Sequence, residues 1–150
     1  MNPQDYVHTT VATVVARNGR YLMVEEHAAE GIVINQPAGH VEPGESLVQA
    51  AQRETLEETA CEVVIEGLLG MALYTASANG VSYLRTTFHA QLIAEHADRA
   101  LDEGIIRSLW MSPTELRSQS DKLRSPLVLA SVEQHLAGHH WPLDFIYYNP

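Results

Sequence analysis

Cysteines, long apolar runs and basic residues are scarce in this chain, and each scarcity argues against a class of structure or partner. Cys61 is the only cysteine, so an internal disulfide is impossible, and a single thiol fits a reducing compartment. The most apolar stretch, residues 68–78, is too short to span a bilayer. The first residues lack the basic segment and apolar run of a signal peptide. We therefore expect a cytoplasmic protein without a membrane partner.

Basic residues are also few. Nine Lys and Arg stand against 19 Asp and Glu, which gives a formal net charge of -10. Because a nucleic-acid binder needs a positive surface, this balance argues against DNA or RNA as the main partner. A small anionic substrate stays compatible, since a bound metal ion can reverse the local charge. The 150 residues, of which 45% are hydrophobic, fit one domain with its own core, residues 1–150.

The local patterns predict strands in hairpins mixed with a few helices. A run rich in β-branched residues at 9–16 precedes Asn18-Gly19, a dipeptide typical of tight hairpin turns, and the return strand follows at 21–25. Segments 39–44 and 95–104 have loop composition. The other predicted elements are strands at 31–36, 61–65, 68–74, 81–94 and 105–111 and helices at 46–59, from 113 and from 126 to about 137. The mixture predicts an α+β sandwich.

The stretch GHVEPGESLVQAAQRETLEETAC, residues 39–61, carries an unusual charge arrangement. Glu54, Glu57 and Glu58 fall within an arc of about 100° on one helix face. Like charges at this spacing repel, and Arg53 can neutralise only part of them. An acidic run is ordinarily a solvated helix face. A divalent cation would reverse the sign of the interaction, because carboxylate oxygens are ligands that Mg²⁺ prefers.

The spacing of the charged residues goes beyond an acidic run. Six specified positions coincide by chance on the order of once in 10⁷ starting points. These positions are Gly39, Glu45, Arg53, Glu54, Glu57 and Glu58. The stretch resembles the signature box of the Nudix hydrolase superfamily. It departs where Thr55 replaces an aliphatic residue and where Ala60 replaces a glycine at the helix exit, a position that Ala tolerates poorly if φ is positive.

Three further segments are similar to the NudJ-type branch of this superfamily. They are NQPAGH before the helix, LRSPLV at 123–128 and WPLDF at 141–145. The resemblance implies an α/β/α sandwich with a mixed β-sheet packed between helices. It also implies hydrolysis of phosphoanhydride bonds with Mg²⁺ as cofactor, or Mn²⁺ in its place.

The resemblance assigns roles to the residues of the box. Glu57 and Glu58 would be metal ligands, and Glu54 would be either a ligand or the base that activates water. Arg53 would hold Glu57 in place, as part of the catalytic group. The backbone carbonyl of Ala38 would be a further ligand. Gly39 and Glu45 would support the loop rather than bind metal.

Outside the box, the candidates for substrate binding are weaker. His40 lies in the loop beside the proposed metal. Arg85 is favoured as a phosphate contact over Arg20 and Arg124, because it falls on a predicted strand. Asp102 or Glu103 could supply a carboxylate from the later part of the chain, and we favour Glu103. The aromatic candidates for stacking on a base, against a plain core role, are Tyr74, Tyr83 and Phe88.

Three functions are compatible with this pattern. The first is a phosphohydrolase acting on nucleoside di- and triphosphates, and on pyrimidine pyrophosphates of thiamine metabolism, with release of phosphate. The second is a nucleotide-sugar or ADP-ribose pyrophosphatase, which would release two monophosphates. The third is a non-catalytic nucleotide sensor, which the intact carboxylates of the box disfavour. The partner is a small phosphorylated molecule, and a monomer is favoured over the alternative dimer.

Overall fold

A mixed β-sheet lies between helices in the computed structural model, which describes residues 1–148. The strands are β1 (Val7–Arg17), β2 (Arg20–Ala28), β3 (Gly31–Asn35), β4 (Ala38–His40), β5 (Cys61–Thr75), β6 (Ser82–Glu95) and β7 (Ile105–Met111). The helices are α1 (Leu47–Thr59), α2 (Pro113–Ser118) and α3 (Pro126–Leu136), with 3-10 turns at Pro3–Asp5, Ser120–Lys122 and Leu143–Phe145. The predicted α/β/α sandwich is confirmed.

The sheet changes its pairing along β1. Its main order is β3-β2-β1-β6-β5, with β4 paired to β1 and β7 paired to β2. The long β1–β6 pairing is parallel, whereas the other pairings are antiparallel. On its other side, β1 pairs with β4 at residues 10–12 and with β2 only at residues 16 and 17. The short strand β4 therefore lies beside the middle of β1.

Two clusters of buried side chains form the core, one on each face of the sheet. The cluster on the α1 face contains Val11, Val15, Leu22, Ala50, Ala51, Cys61, Val63, Ile65, Leu68, Phe88 and Ala90. The cluster on the α2 and α3 face contains Val14, Tyr21, Met23, Ile34, Leu69, Met111, Leu116, Val128 and Val132. Alternation along β1 places Val11 and Val15 on one face and Val14 on the other, as a strand requires.

Two predicted element boundaries differ from the structure. The predicted strands at 61–65 and 68–74 form one strand, β5, because register shifts around Gly67 and Gly70 absorb the irregularity without ending the pairing with β6. The predicted loop at 39–44 begins inside β4, since its first residues pair with β1. The turn at Asn18-Gly19 has φ values of 53° and 73°, as this hairpin type requires.

Helix α1 begins and ends with defined caps. The hydroxyl of Ser46 accepts a hydrogen bond from the amide of Gln49, whose side chain accepts one in return from the Ser46 amide. At the other end, Ala60 adopts the left-handed conformation with φ of 59°. The helix exit therefore keeps the geometry that a glycine would favour, at the conformational cost of a Cβ.

The aliphatic position of the box is replaced by a buried pair of hydroxyls. Thr55 donates a hydrogen bond to the carbonyl of Ala51 at 2.7 Å, and its oxygen lies 2.7 Å from that of Thr13 on β1. Thr13 must therefore be the donor to Thr55. Both threonines are fully buried, so this hydrogen bond joins α1 to the sheet without leaving a polar group unpaired.

Within residues 1–148, we find no helix with the length and apolar character needed to cross a membrane.

The substitution Ala60→Gly should stabilise the fold. The left-handed conformation costs a residue with a Cβ about 1–2 kcal/mol, whereas the lost methyl burial costs about 0.8 kcal/mol. We expect a net gain of about 0.5 kcal/mol in the free energy of unfolding, measured by denaturant titration. Ala137, which caps α3 in the right-handed conformation, is the matched control. Ala137→Gly should destabilise, and an equal response at both positions would contradict the argument.

A cluster of histidines gives the fold a pH dependence. On β6, the His89 ring lies 5.2 Å from that of His140 and 6.2 Å from that of His135, between ring centroids. Burial, and then repulsion from these two histidines, lowers the pKa of His89 below its ordinary value of 6.5. The unfolded chain therefore binds this proton more readily than the folded chain. Stability from His89 is full above pH 6.5 and is lost as pH falls toward the folded pKa.

We expect His89→Leu to be more stable, relative to the unsubstituted protein, at pH 5.5 than at pH 7.5. The comparison between the two proteins at each pH cancels the contributions of the carboxylates. Denaturant titration at both pH values measures it, with His27→Leu on the exposed side of β2 as control. If the difference between the two proteins were independent of pH, or had the opposite sign, His89 would not titrate as inferred.

Candidate active site

Three carboxylates meet where α1 faces the loop between β6 and β7. Oxygens of Glu54, Glu57 and Asp102 all lie within 4.8 Å of one another. The amide of Asp102 donates a hydrogen bond of 2.9 Å to the carbonyl of Glu57, which fixes the loop against the end of the helix. We call these three residues the acidic cluster. Because their charges repel, the cluster needs compensation from cations.

Arg53 supplies part of that compensation. Its guanidinium contacts Glu45 at 2.6 Å, Glu54 at 2.8 Å and Glu57 at 3.2 Å. It also donates to the backbone carbonyl of His40 at 3.0 Å. These contacts raise the pKa of Arg53, first through Glu45, so the side chain stays charged. One side chain thereby joins the loop before α1 to two members of the acidic cluster.

Glu58 occupies a different environment from the cluster. Its carboxylate accepts a 2.8 Å hydrogen bond from the amide of Ala38 and is buried. Burial raises the pKa of Glu58 to about 8, with further contributions from Glu26, Glu54 and Asp102, while the Ala38 amide opposes the rise. Burial likewise raises the pKa of Glu54, against the effect of Arg53. Burial is the largest cause of the raised pKa of both carboxyls, and a cation bound nearby would oppose it.

Gly39 is required by a close approach rather than by an unusual backbone angle. A Cβ at this position would overlap the carboxylate of Glu54. The pairing of Gly39 with Val11 directs the missing side chain toward α1. The neighbouring His40 pairs with Thr10 and points to the opposite face. Strand β4 therefore separates the acidic cluster from the space on the other face of the sheet.

That space is a cleft of about 540 Å³. Its lining combines the backbone of β4 with Tyr74 and Tyr83 and with charged residues from several elements. Arg85 reaches the cleft from β6 and is 7% exposed. Its Nη2 donates to Gln36 at 2.7 Å, and Gln36 in turn donates to the carbonyl of Val128 in α3 at 2.7 Å. A buried cation thus lies in a cleft that adjoins a group of carboxylates.

Comparison with known proteins identifies the family. The NUDIX domain matches residues 7–130, most of the chain. The chain belongs to the NUDIX domain family. It is 37% identical over 139 residues to Phosphatase NudJ of Escherichia coli K12, covering 93% of this chain and 90% of that protein. A NUDIX hydrolase from Nitrosomonas europaea superposes with a TM-score of 0.93 at 43% identity, covering 96% of this chain and 98% of the other.

A more distant structural neighbour shares the fold alone. An ADP-ribose pyrophosphatase from Streptococcus suis superposes with a TM-score of 0.67 at 15% identity, covering 91% and 96% of the two chains. The family and its NudJ relatives show that this Nudix protein is a hydrolase acting on phosphorus-containing anhydrides, similar to the NudJ phosphatases. The acidic cluster can bind a divalent metal, because its donors are the hard oxygens that such ions prefer.

The carboxylates of the Nudix box lie close together in the structure, and Asp102, from outside the box, lies with them. Glu54 and Glu57 lie in the acidic cluster, whereas Glu58 lies beside it on the Ala38 amide. Glu45 accepts hydrogen bonds from Arg53 and from the amide of Glu42. Its position fits support of the loop rather than metal binding.

The structure separates Asp102 from Glu103. Asp102 joins the acidic cluster, whereas Glu103, the residue predicted from the sequence, is exposed and lies outside it. Adjacent loop residues of the same charge cannot be distinguished by composition. The signal that decides between them is the backbone hydrogen bond from Asp102 to Glu57, which depends on the fold.

The other candidates divide between the cleft and structural positions. His40 and Arg85 line the cleft, and His40 also lies 2.9 Å from a ring nitrogen of His8. Phe88 is fully buried in the core. Arg20 pairs with Glu115 at 3.1 Å outside the cleft, whereas Arg124 pairs with Glu26 at 2.6 Å and both of these residues also line the cleft. Sequence reasoning missed Gln36 and Asn35, although both stand in the NQPAGH segment.

Proposed function

We propose that this Nudix hydrolase is a Mg²⁺-dependent phosphohydrolase that cleaves phosphoanhydride bonds of nucleoside di- and triphosphates and of pyrimidine pyrophosphates, releasing phosphate. The observation that carries the proposal is the acidic cluster beside a cleft large enough for the organic part of such a substrate. The likeness to proteins named Phosphatase NudJ supports release of phosphate as the outcome. A cytoplasmic monomer without nucleic-acid or membrane partners completes the proposal, in keeping with the charge of -10 and the single thiol.

The residues of the site divide the work of this reaction. Glu54, Glu57 and Asp102 would hold the ion, with Glu58 and the carbonyl of Ala38 as further donors. When bound, Mg²⁺ would neutralise negative charge on the phosphoryl oxygens and lower the pKa of a bound water molecule. Mn²⁺ is an alternative, since it also accepts oxygen ligands. Arg53 orients Glu54 and Glu57 through its contacts of 2.8 and 3.2 Å.

Glu54 has two roles open to it in this scheme. As a ligand it would complete the cation's oxygen shell, and as a base it would take the proton from the attacking water. Burial raises its pKa above the ordinary value, and this direction favours a role as base, since a base works best when its pKa approaches the operating pH. Its carboxylate also lies among the other two oxygens of the acidic cluster, which suits a ligand.

A phosphate-release screen tests the proposal. Purified protein with Mg²⁺ is given nucleoside di- and triphosphates, pyrimidine pyrophosphates, ADP-ribose and nucleotide sugars, each with and without added pyrophosphatase or alkaline phosphatase. Direct release of orthophosphate from the simple di- and triphosphates supports it. Signal that appears only with a coupling enzyme would instead indicate a pyrophosphatase that releases pyrophosphate or two monophosphates.

We expect Glu57→Gln and Glu58→Gln each to lower turnover more than about 100-fold while the fold stays intact. Loss of residues that merely orient a metal ligand already costs about 10–100-fold, so loss of a ligand should exceed that. Steady-state rates at saturating Mg²⁺ measure the effect, and circular dichroism checks the fold. Glu66→Gln, on the exposed side of β5, is the control. Near-normal turnover in either variant would refute that residue's role.

Asp102→Asn and Glu103→Gln should behave differently, although they are neighbours with the same change of charge. Asp102→Asn removes an oxygen of the acidic cluster, so we expect turnover to fall about 10-fold or more and the Mg²⁺ concentration for half-maximal rate to rise. Glu103→Gln should leave both quantities within about twofold. A Mg²⁺ titration of the rate measures them. The reverse order of effects would restore Glu103 as the residue that the site uses.

A further inference from the structure

Arg85 is buried without the partner that a buried cation normally has. Its only hydrogen bond to the rest of residues 1–148 goes to the neutral amide of Gln36, and its Nε has no partner there. Burial lowers the pKa of Arg85 to about 10, so the side chain is still charged at neutral pH. Burying an uncompensated charge is costly, and most structural arginines avoid it by pairing with a carboxylate. The side chain is therefore poised for an acceptor that comes from outside.

A complementary atom lies in the same cleft. The Oδ1 of Asn35 is buried and lacks a hydrogen-bond donor among the described residues. Asn35 and Arg85 both line the cleft, and Gln36, which follows Asn35, connects the two through its bond to Arg85. The bond from Gln36 to the carbonyl of Val128 fixes this arrangement. Among residues 1–148, the wall of the cleft thus contains one buried donor and one buried acceptor without partners.

The position of Arg85 indicates which part of a substrate it would meet. Arg85 pairs with Thr10 on β1, and Thr10 pairs with His40 on β4, so the three side chains lie in one row across the sheet. Two strand spacings, about 10 Å, separate Arg85 from His40. The acidic cluster lies beyond β4, against Gly39. A phosphate at the cluster would therefore leave the organic group, not the phosphate, beside Arg85.

The neighbours of Arg85 on its strand are aromatic. Tyr83 lies two residues away on the same face of β6 and pairs with Tyr74 on β5. Both tyrosines line the cleft. Aromatic walls favour a flat ring, because ring faces stack and exclude water. An aliphatic group would leave the Nε of Arg85 and the Oδ1 of Asn35 unpaired.

We propose that Arg85 and Asn35 are specificity-determining residues that read the edge of a planar nitrogen heterocycle. The ring would present an acceptor to the Nε–H of Arg85 and an N–H group to the Oδ1 of Asn35, as nucleobases and aminopyrimidines do. Both side chains would have to turn toward the cleft to make these bonds, because the two atoms have almost no accessible surface in the ligand-free protein. This inference rests on the proposed function, because it takes the ring to be attached to the diphosphate that the enzyme cleaves. It gives Arg85 a contact with the ring in place of the phosphate contact expected from the sequence.

The test compares substrates that share a diphosphate and differ in the attached group. We would measure kcat/KM for UDP, CDP, ADP and GDP, and for dimethylallyl diphosphate, which has no ring. Arg85→Met should lower kcat/KM for the best nucleoside diphosphate about 10- to 100-fold, the range for a lost hydrogen bond to a charged group. The same substitution should change kcat/KM for dimethylallyl diphosphate by no more than about threefold. Arg107→Met, which removes a cation paired with Glu25 outside the cleft, should change neither.

Thermal stability distinguishes this role from a structural one. Removal of the uncompensated buried charge should offset the loss of the hydrogen bond to Gln36, so the melting temperature of the ligand-free Arg85→Met protein should change little, whereas a structural role for Arg85 predicts a clear decrease. Arg85→Lys is a second variant should Arg85→Met fold poorly. It keeps the cation but lacks the Nε–H of the guanidinium, so it should also lose the preference for ring-bearing substrates. An equal loss of kcat/KM on all diphosphates, or no loss on any, would overturn the proposal.

A substitution at Asn35 tests the other half of the pair. Asn35→Ala should lower kcat/KM for the best nucleoside diphosphate, and have no effect on its analogue methylated at the ring N–H group. Equal effects on both compounds would remove Asn35 from the proposal.

Binding measurements keep this inference separate from the proposed function. Calorimetric titration with phosphate-free nucleosides needs neither metal nor turnover. If no diphosphate is hydrolysed but a nucleoside binds the unsubstituted protein and not Arg85→Met, the proposed function fails and the ring site stands. If hydrolysis occurs and all attached groups are treated alike, the ring site fails and the function stands.

Discussion

The site depends on how Arg53 and the carboxylates around it balance one another. Glu54 and Glu57 would repel each other and Asp102, and one guanidinium offsets part of that repulsion through contacts of 2.8 and 3.2 Å. The same guanidinium holds the loop before α1 through Glu45. Helix, loop and acidic cluster therefore share one electrostatic support. The remaining negative charge is what a divalent cation would neutralise, so folding prepares the site without completing it.

Strand β4 links the acidic cluster to the cleft. Its alternation sends Gly39 toward the acidic cluster and His40 toward the cleft. Glu58, through its bond to the Ala38 amide, anchors the same strand from α1. The three residues of this short strand thus set the distance between the acidic cluster and the cleft. Because both places use the same backbone, a change that shifts β4 would disturb metal binding and substrate binding together.

The extent of prediction from sequence varied with the range of the interactions involved. The hairpin at Asn18-Gly19 and the helix at 46–59 were predicted, since each depends on residues within a few positions of one another. The single strand β5 was not, because pairing with β6 carries it through the irregularity near Gly67. Asp102 was not separable from Glu103, since the choice depends on a backbone hydrogen bond to a helix 45 positions earlier, at Glu57.

The sequence by itself determined the family, the sandwich architecture and the acidic face of α1, because box spacing and local periodicity are properties of neighbouring residues. Only the tertiary structure decided what the segments NQPAGH and LRSPLV do together. They meet where Gln36 bonds to the carbonyl of Val128 and holds Arg85, from a third part of the chain, in the cleft. Burial distinguishes that arginine from the other eight basic residues, and no carboxylate among residues 1–148 pairs with it. Burial is a property of the packed chain, so no local pattern could reveal it.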